Sequence, residues 1–211
     1  LATLLPLLAA AQAPTVPTPA TVAAHYAVLV HANYSDTLDA ARAMQRAVLA
    51  FTAAPSTEAL AAARQRWLAA REFYGQTEAF RFYGGPIDDD QGLEGRLNAW
   101  PIDESFVDGV IGKPNAGLVG NRGFVISKRN LAARNERGGE ENIATGWHAI
   151  EFLLWGQDLS ETGPGNRGFE DFVDGKAPNA DRRRQYLVVA TELLVDDLHS
   201  LVRAWAPGAK N

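Results

Sequence analysis

The sequence predicts an all-α protein: an up-and-down, four-helix-bundle-like fold with a long glycine-rich excursion between the second and third main helices. Three observations predict it. Apolar residues recur at threes and fours through long stretches, the spacing that keeps one helix face against a core. No segment alternates β-branched and polar residues as a half-buried strand would. Glycine and proline gather between the periodic stretches, where they punctuate rather than break.

The first helix is expected from Val22 to Thr52, with Leu38, Ala41, Met44, Val48 and Phe51 on one face. Pro55 stops it, and Ser56 with Glu58 opens the second helix as an N-cap and a first-turn acid. That helix is expected to reach Tyr83, where Gly84, Gly85 and Pro86 end it. At about 1.5 Å per residue each of the two is roughly 40 Å long, which suits a bundle.

Residues 84–143 hold 11 of the 19 glycines, and only 91–99 and 127–134 are periodic. Such a stretch is too long for a plain connection, so it is functional or covers one end of the bundle. The pentapeptide Gly120–Phe124 recurs at Gly165–Phe169. It reads as turn chemistry, because no strand precedes either copy as a phosphate cradle requires. The third helix spans Thr145 to Trp155 and stops at Gly156. The last starts near Asp181, and Leu187, Thr191, Leu194, Leu198, Leu201 and Trp205 form its stripe. Arg182, Arg183 and Arg184, at its start, read as a solvated basic patch.

Residues 1–13 have the apolar run and small-residue ending of a secretory signal, with the initiator Met and basic start outside this sequence and a cut favoured after Ala11. Broken by Pro6, that run is short of the ~20 residues that span a bilayer, so export is expected without a transmembrane anchor. Residues 14–21 read as a linker and 22–206 as the helical domain. The net charge of −5 argues against nucleic acid as a partner. With no cysteine in the chain, disulfides, thiolate metal sites and cysteine nucleophiles are excluded.

The chemistry concentrates between Gly146 and Gly156. From Trp147 to Trp155 every residue is apolar except His148 and Glu151. An all-round apolar helix is a buried one, and a buried carboxylate and imidazole cost several kcal/mol unless compensated. At i and i+3 the two side chains share a face, ~5–6 Å apart at Cβ. A metal ion would compensate both; so would a plain core hydrogen bond between them. Trp67, Arg71, Tyr74 and Glu78 share a face of the second helix, which makes Glu78 a candidate ligand and Arg71 a group that could orient a carboxylate. The bland alternative is an ion network along that helix. Trp100-Pro101-Ile102-Asp103 offers Asp103 as a further ligand beside Trp100, against the alternative of a turn or N-cap acid. His25, His31 and the Asp196–His199 pair read as ordinary surface features. His-Glu-x-x-His, the zincin pattern, is absent: position 149 is Ala and position 152 is Phe.

At these residues the chain resembles the imelysin-like family of bacterial envelope proteins. Gly146-Trp-His-Ala-Ile-Glu151 is similar to that family's Gly-x-His-x-x-Glu motif. Residues 77–82, 100–103 and 183–187 extend the likeness in order, over about 22–205. The resemblance implies two helical, bundle-like halves with the motif near their junction, and a role linked to iron uptake in the periplasm or at the outer surface. Members are close to twice this length, so this chain corresponds to a first half with the second absent. His148 and Glu151 are the matched motif positions; the residue reading adds Glu78 and Asp103 as candidate completing ligands, and His and carboxylate donors without sulfur make iron the expected ion, ahead of zinc or another divalent metal. The partner is the ion itself, an iron-carrying ligand or an envelope uptake protein. A metallopeptidase and an interaction module with a structural His–Glu pair are the rival readings.

Overall fold

The structure, a computed structural model, describes residues 16–209. The signal-like segment 1–13 lies outside the described residues. Helix α1 (Pro19–Ala53) begins inside the predicted linker. Thr18 and Thr21 cap it reciprocally, with Thr21 N–H donating to Thr18 Oγ1 at 3.2 Å and Thr18 N–H to Thr21 Oγ1 at 2.9 Å. Pro19 fits the first helical position, where no amide partner is lost. Its five predicted core residues are all buried, joined by Val30, Tyr34 and Thr37.

Helix α2 (Thr57–Gln76) starts at the Ser56 cap, whose hydroxyl accepts from Ala59 N–H at 3.1 Å. It ends seven residues before the expected Tyr83. Thr77 Oγ1 donates to the Tyr74 carbonyl at 2.7 Å, the chain tightens into a 3₁₀ turn over Thr77–Phe80, and Phe82 takes φ +70°. A side-chain bond to the backbone competes with the helical ladder, and a bulky residue at positive φ cannot continue it.

The excursion carries only short helices: α3 (Glu94–Leu97), α4 (Glu104–Val107), α5 (Gly117–Gly120) and α6 (Lys128–Arg134). Among the described residues no strand forms; Val110 and Lys113 make one isolated bridge. Helix α7 (Gly146–Trp155) packs on α2 and on α8 (Ala180–Ala204), and α1 lies against both α2 and α8. The α8 stripe is buried from Leu187 to Leu201, while Trp205 is partly covered. His199 is exposed, as expected.

The three arginines that open α8 correct the basic-patch reading. Each reaches a different loop. Arg182 donates to the carbonyls of Leu118, Val119, Asn121 and Phe124, closing the end of α5. Arg183 is buried against Asp108. Arg184 pairs with Asp174 at 2.9 Å. Carbonyls left open at short helix ends and a buried carboxylate are what turn this cationic run inward.

Candidate functional site

Gly146 sets the position of the motif. Its φ is +79°, and a Cβ there would stand 2.4 Å from the Leu97 carbonyl oxygen. Only glycine lets α7 begin this close beneath α3. Around it Asn135 Oδ1 accepts from the amides of Ala144 and Thr145, and Thr145 Oγ1 donates to the Arg96 carbonyl at 2.8 Å. Tyr186 OH donates to Ala144 O at 2.8 Å. The first turn of α7 is therefore held by three different parts of the chain.

From that turn His148 and Glu151 project side by side, with His148 Nδ1 3.0 Å from Glu151 Oε2. A carboxylate only accepts, so Nδ1 carries the proton of this bond. The pair is not sealed in the core, as the sequence suggested. The side chains are 16% and 43% exposed. Trp147, Ile150, Leu153 and Leu154 bury the other faces of α7, leaving the pair at an open edge.

That edge is the wall of a cleft of about 310 Å³ formed with Trp67, Trp100, Phe152, Trp155, Glu104 and Asp158. The Trp100 ring lies 4.8 Å from the imidazole, tilted by 54°, at the end of a cis Trp100–Pro101 bond. Trp67 Nε1 donates to the Trp147 carbonyl at 3.2 Å, and its ring meets Trp155 edge-on at 5.3 Å. Behind the cleft Arg64 donates to the carbonyls of Leu154 and Arg167, satisfying the open end of α7. Burial, then the like charge of Arg167, lowers the Arg64 pKa. Arg167 Nη1 bonds Asp108 at 2.9 Å while Arg167 N–H donates to Trp155 O, which anchors the loop after α7.

The remaining sequence candidates lie elsewhere. Glu78 is held by Arg81 at 3.0 Å, and Arg81 also pairs with Glu94 at 2.9 Å. Burial pushes the Glu94 carboxyl upward against the pull of Arg81. Glu78 falls in the 3₁₀ turn after α2, where Arg81 ties it to the Glu94 network. The Arg71 guanidinium lies 5.2 Å over Tyr74 and 5.9 Å over Trp147, and no carboxylate bonds it among the described residues. Asp103 caps α4, accepting from Ser105 N–H at 2.9 Å, and lines an adjoining depression with Trp100 and Glu104. Among the described residues no three His, Asp or Glu side chains stand close enough to hold an ion. Sequence reasoning overlooked Glu104 and Asp158. Glu104 sits next to Asp103 and could have been weighed with it, whereas nothing local marks Asp158.

A helical bundle with this Gly-x-His-x-x-Glu turn defines the class. The chain belongs to the imelysin family, whose model, described as Imelysin and carrying a peptidase label, matches residues 30–211. Iron-regulated protein A of Synechococcus elongatus is 30% identical over 123 residues, 58% of this chain and 28% of that protein. A crystal structure described as an iron-regulated protein A precursor from Parabacteroides distasonis shares the fold. Its TM-score is 0.64 at 23% identity, over 91% of this chain and 47% of that one. The chain thus spans about half the length of the solved relative it matches.

Proposed function

We propose that this chain is part of an exported envelope protein linked to iron uptake, with His148 and Glu151 as its iron-facing element. The names of its relatives support the link to iron, and the signal-like 1–13 supports export. Among the described residues no helix is long and apolar enough to cross a membrane.

The observation that carries the reading is the His148–Glu151 bond at the mouth of a cleft. With Nδ1 bound to the carboxylate, a neutral imidazole carries its proton on Nδ1 and turns the Nε2 lone pair away from Glu151. That is the arrangement by which a carboxylate orients a metal-binding histidine. Nε2 has no hydrogen-bond partner among the described residues. Of the four predicted ligands, Glu78 bonds Arg81 and Asp103 caps α4, so the reading rests on His148 and Glu151. The pair instead suits an iron ion that brings ligands of its own into the cleft. Nitrogen and carboxylate donors without sulfur favour iron over softer ions.

The test is elemental analysis of protein purified without chelator, followed by titration with ferric citrate. Wild type is expected to carry iron, and His148→Ala and Glu151→Gln to lose most of it while keeping their helical circular dichroism. Equal iron in wild type and His148→Ala would end the ligand assignment and leave the pair structural. Metal-dependent cleavage of an unstructured protein, lost in His148→Ala, would replace this reading with the peptidase one.

A further inference from the structure

The cleft beside His148 has chemistry that iron leaves unused. Its aromatic residues are Trp67, Trp100, Phe152 and Trp155, its carboxylates are Glu104, Glu151 and Asp158, and no Lys or Arg lines it. Among the described residues none of the three acids pairs with a Lys or Arg side chain. Glu104 accepts from the Gln157 amide, Asp158 from the Ser160 N–H, and Glu151 from His148. The nearest cations, Arg64 and Arg167, are committed to carbonyls and to Asp108. Each also lies over an aromatic ring of the cleft, Arg64 at 5.5 Å from Trp155 and Arg167 at 5.3 Å from Phe152. The fold itself already uses these rings to seat guanidinium groups.

Trp100 is 68% exposed, and the surface past it stays apolar, with Ile111 at 74% and Leu159 at 70%. A depression of about 500 Å³ shares Trp155, Gly156, Pro164 and Gly165 with the cleft, and one of about 340 Å³ shares Trp100, Ile102 and Glu104. The three depressions adjoin one another through these shared residues, and Arg167, which lines the first, is bonded to Asp108.

We propose that the cleft and these depressions dock an extended basic segment of a partner protein, which inserts one Lys or Arg side chain beside Trp100. The aliphatic stem would lie on the indole and the charged head would meet the open carboxylates, a division of labour these side chains favour. A net charge of −5 steers a cationic segment toward the chain and repels nucleic acid and anionic lipid. The proposal goes beyond the iron reading and turns on Trp100, Glu104 and Asp158 rather than on the His148–Glu151 pair.

Three of the five tryptophans line the cleft, so binding reports in their fluorescence. The probes are an acetylated and amidated Gly-Leu-Lys-Leu-Gly peptide, its Arg, norleucine and Glu versions, and lysine amide alone. The Lys and Arg peptides are expected to bind, the norleucine peptide about tenfold more weakly, and the Glu peptide not at all. Glu104→Gln and Asp158→Asn are expected to weaken the Lys peptide about two- to fivefold each, and Trp100→Ala about five- to thirtyfold. Glu104→Gln and Asp158→Asn are expected to leave the iron content within about twofold while weakening the peptide, so the two proposals fail separately. Equal affinity for the Lys and norleucine peptides would overturn the proposal, as would no loss in a folded Glu104→Gln/Asp158→Asn double variant. Lysine amide binding as tightly as the peptide would reassign the cleft to small amines, and capture by anionic vesicles would reassign the face to membranes.

Discussion

Asp108 is the point at which the excursion, the loop after α7 and helix α8 are tied together. Its carboxylate is 1% exposed and accepts from Arg183 Nη2 at 3.1 Å, Arg167 Nη1 at 2.9 Å and the Gly109 amide at 2.7 Å, besides Arg183 Nε. Both arginine side chains are about 95% covered, at 6% and 5% exposed. Asp108→Asn preserves shape but leaves the buried Arg183 without a counter-charge and Arg167 with only Asp171, at 3.7 Å. Breaking such a buried network costs about 3–5 kcal/mol. For a domain of this size that is a fall of roughly 6–20 °C in thermal midpoint. Circular dichroism melts and urea midpoints measure it, with Asp174→Asn, whose carboxylate is 70% exposed, as the control expected to stay within about 2 °C. The pH dependence has a definite sign. Burial raises the Asp108 pKa, yet the Arg183 bonds and the two positive charges outweigh it and hold the carboxyl below its usual value. A depressed acid stabilises the fold above its unfolded pKa of about 3.9, and that stability is lost as pH falls through the lower folded value. Wild type should therefore lose stability on acidification below about pH 4 by an amount missing from Asp108→Asn. A variant within about 1 kcal/mol of wild type would refute the argument that this charge network holds the cleft's loop in place.

Two further outcomes follow from the same geometry. Gly146→Ala forces a side chain to positive φ and against the Leu97 and Arg96 carbonyls, 2.4 and 2.6 Å away. It is expected to cost more than about 2 kcal/mol and, by displacing the first turn of α7, to weaken iron binding with both motif residues intact. Urea unfolding beside iron titration checks both effects. Asp197→Asn should behave unlike Asp108→Asn. Burial is the leading effect on Asp197 and raises its pKa despite the Arg96 bond, and Arg96 is 38% exposed and can be hydrated once freed. Its melting midpoint at neutral pH should move by no more than about 1 kcal/mol in equivalent stability, and a larger loss would contradict the reading.

The periodic stretches were legible without the structure because helical burial repeats at a spacing the sequence records. Leu38, Ala41, Met44, Val48 and Phe51 on α1, and Leu187 to Leu201 on α8, lie where their spacing puts them. The His148–Glu151 pair was legible for the same reason, since i and i+3 always share a face. What could not be read was set by contacts distant along the chain. Glu78 pairs with Arg81 in the turn that Thr77 opens after α2, and Asp103 caps α4. Arg183 and Asp108, 75 positions apart, found each other in the interior, where an unpaired charge is untenable. The pair's exposure was likewise decided by tertiary packing: an apolar helix was assigned to the core, but the excursion folded past one edge of it and left a cleft. The sequence by itself thus determined the helices and the two polar groups of the motif. Only the tertiary structure decided what stands around them, because residue spacing encodes neighbours within one helix and carries no record of which loops will meet its open side.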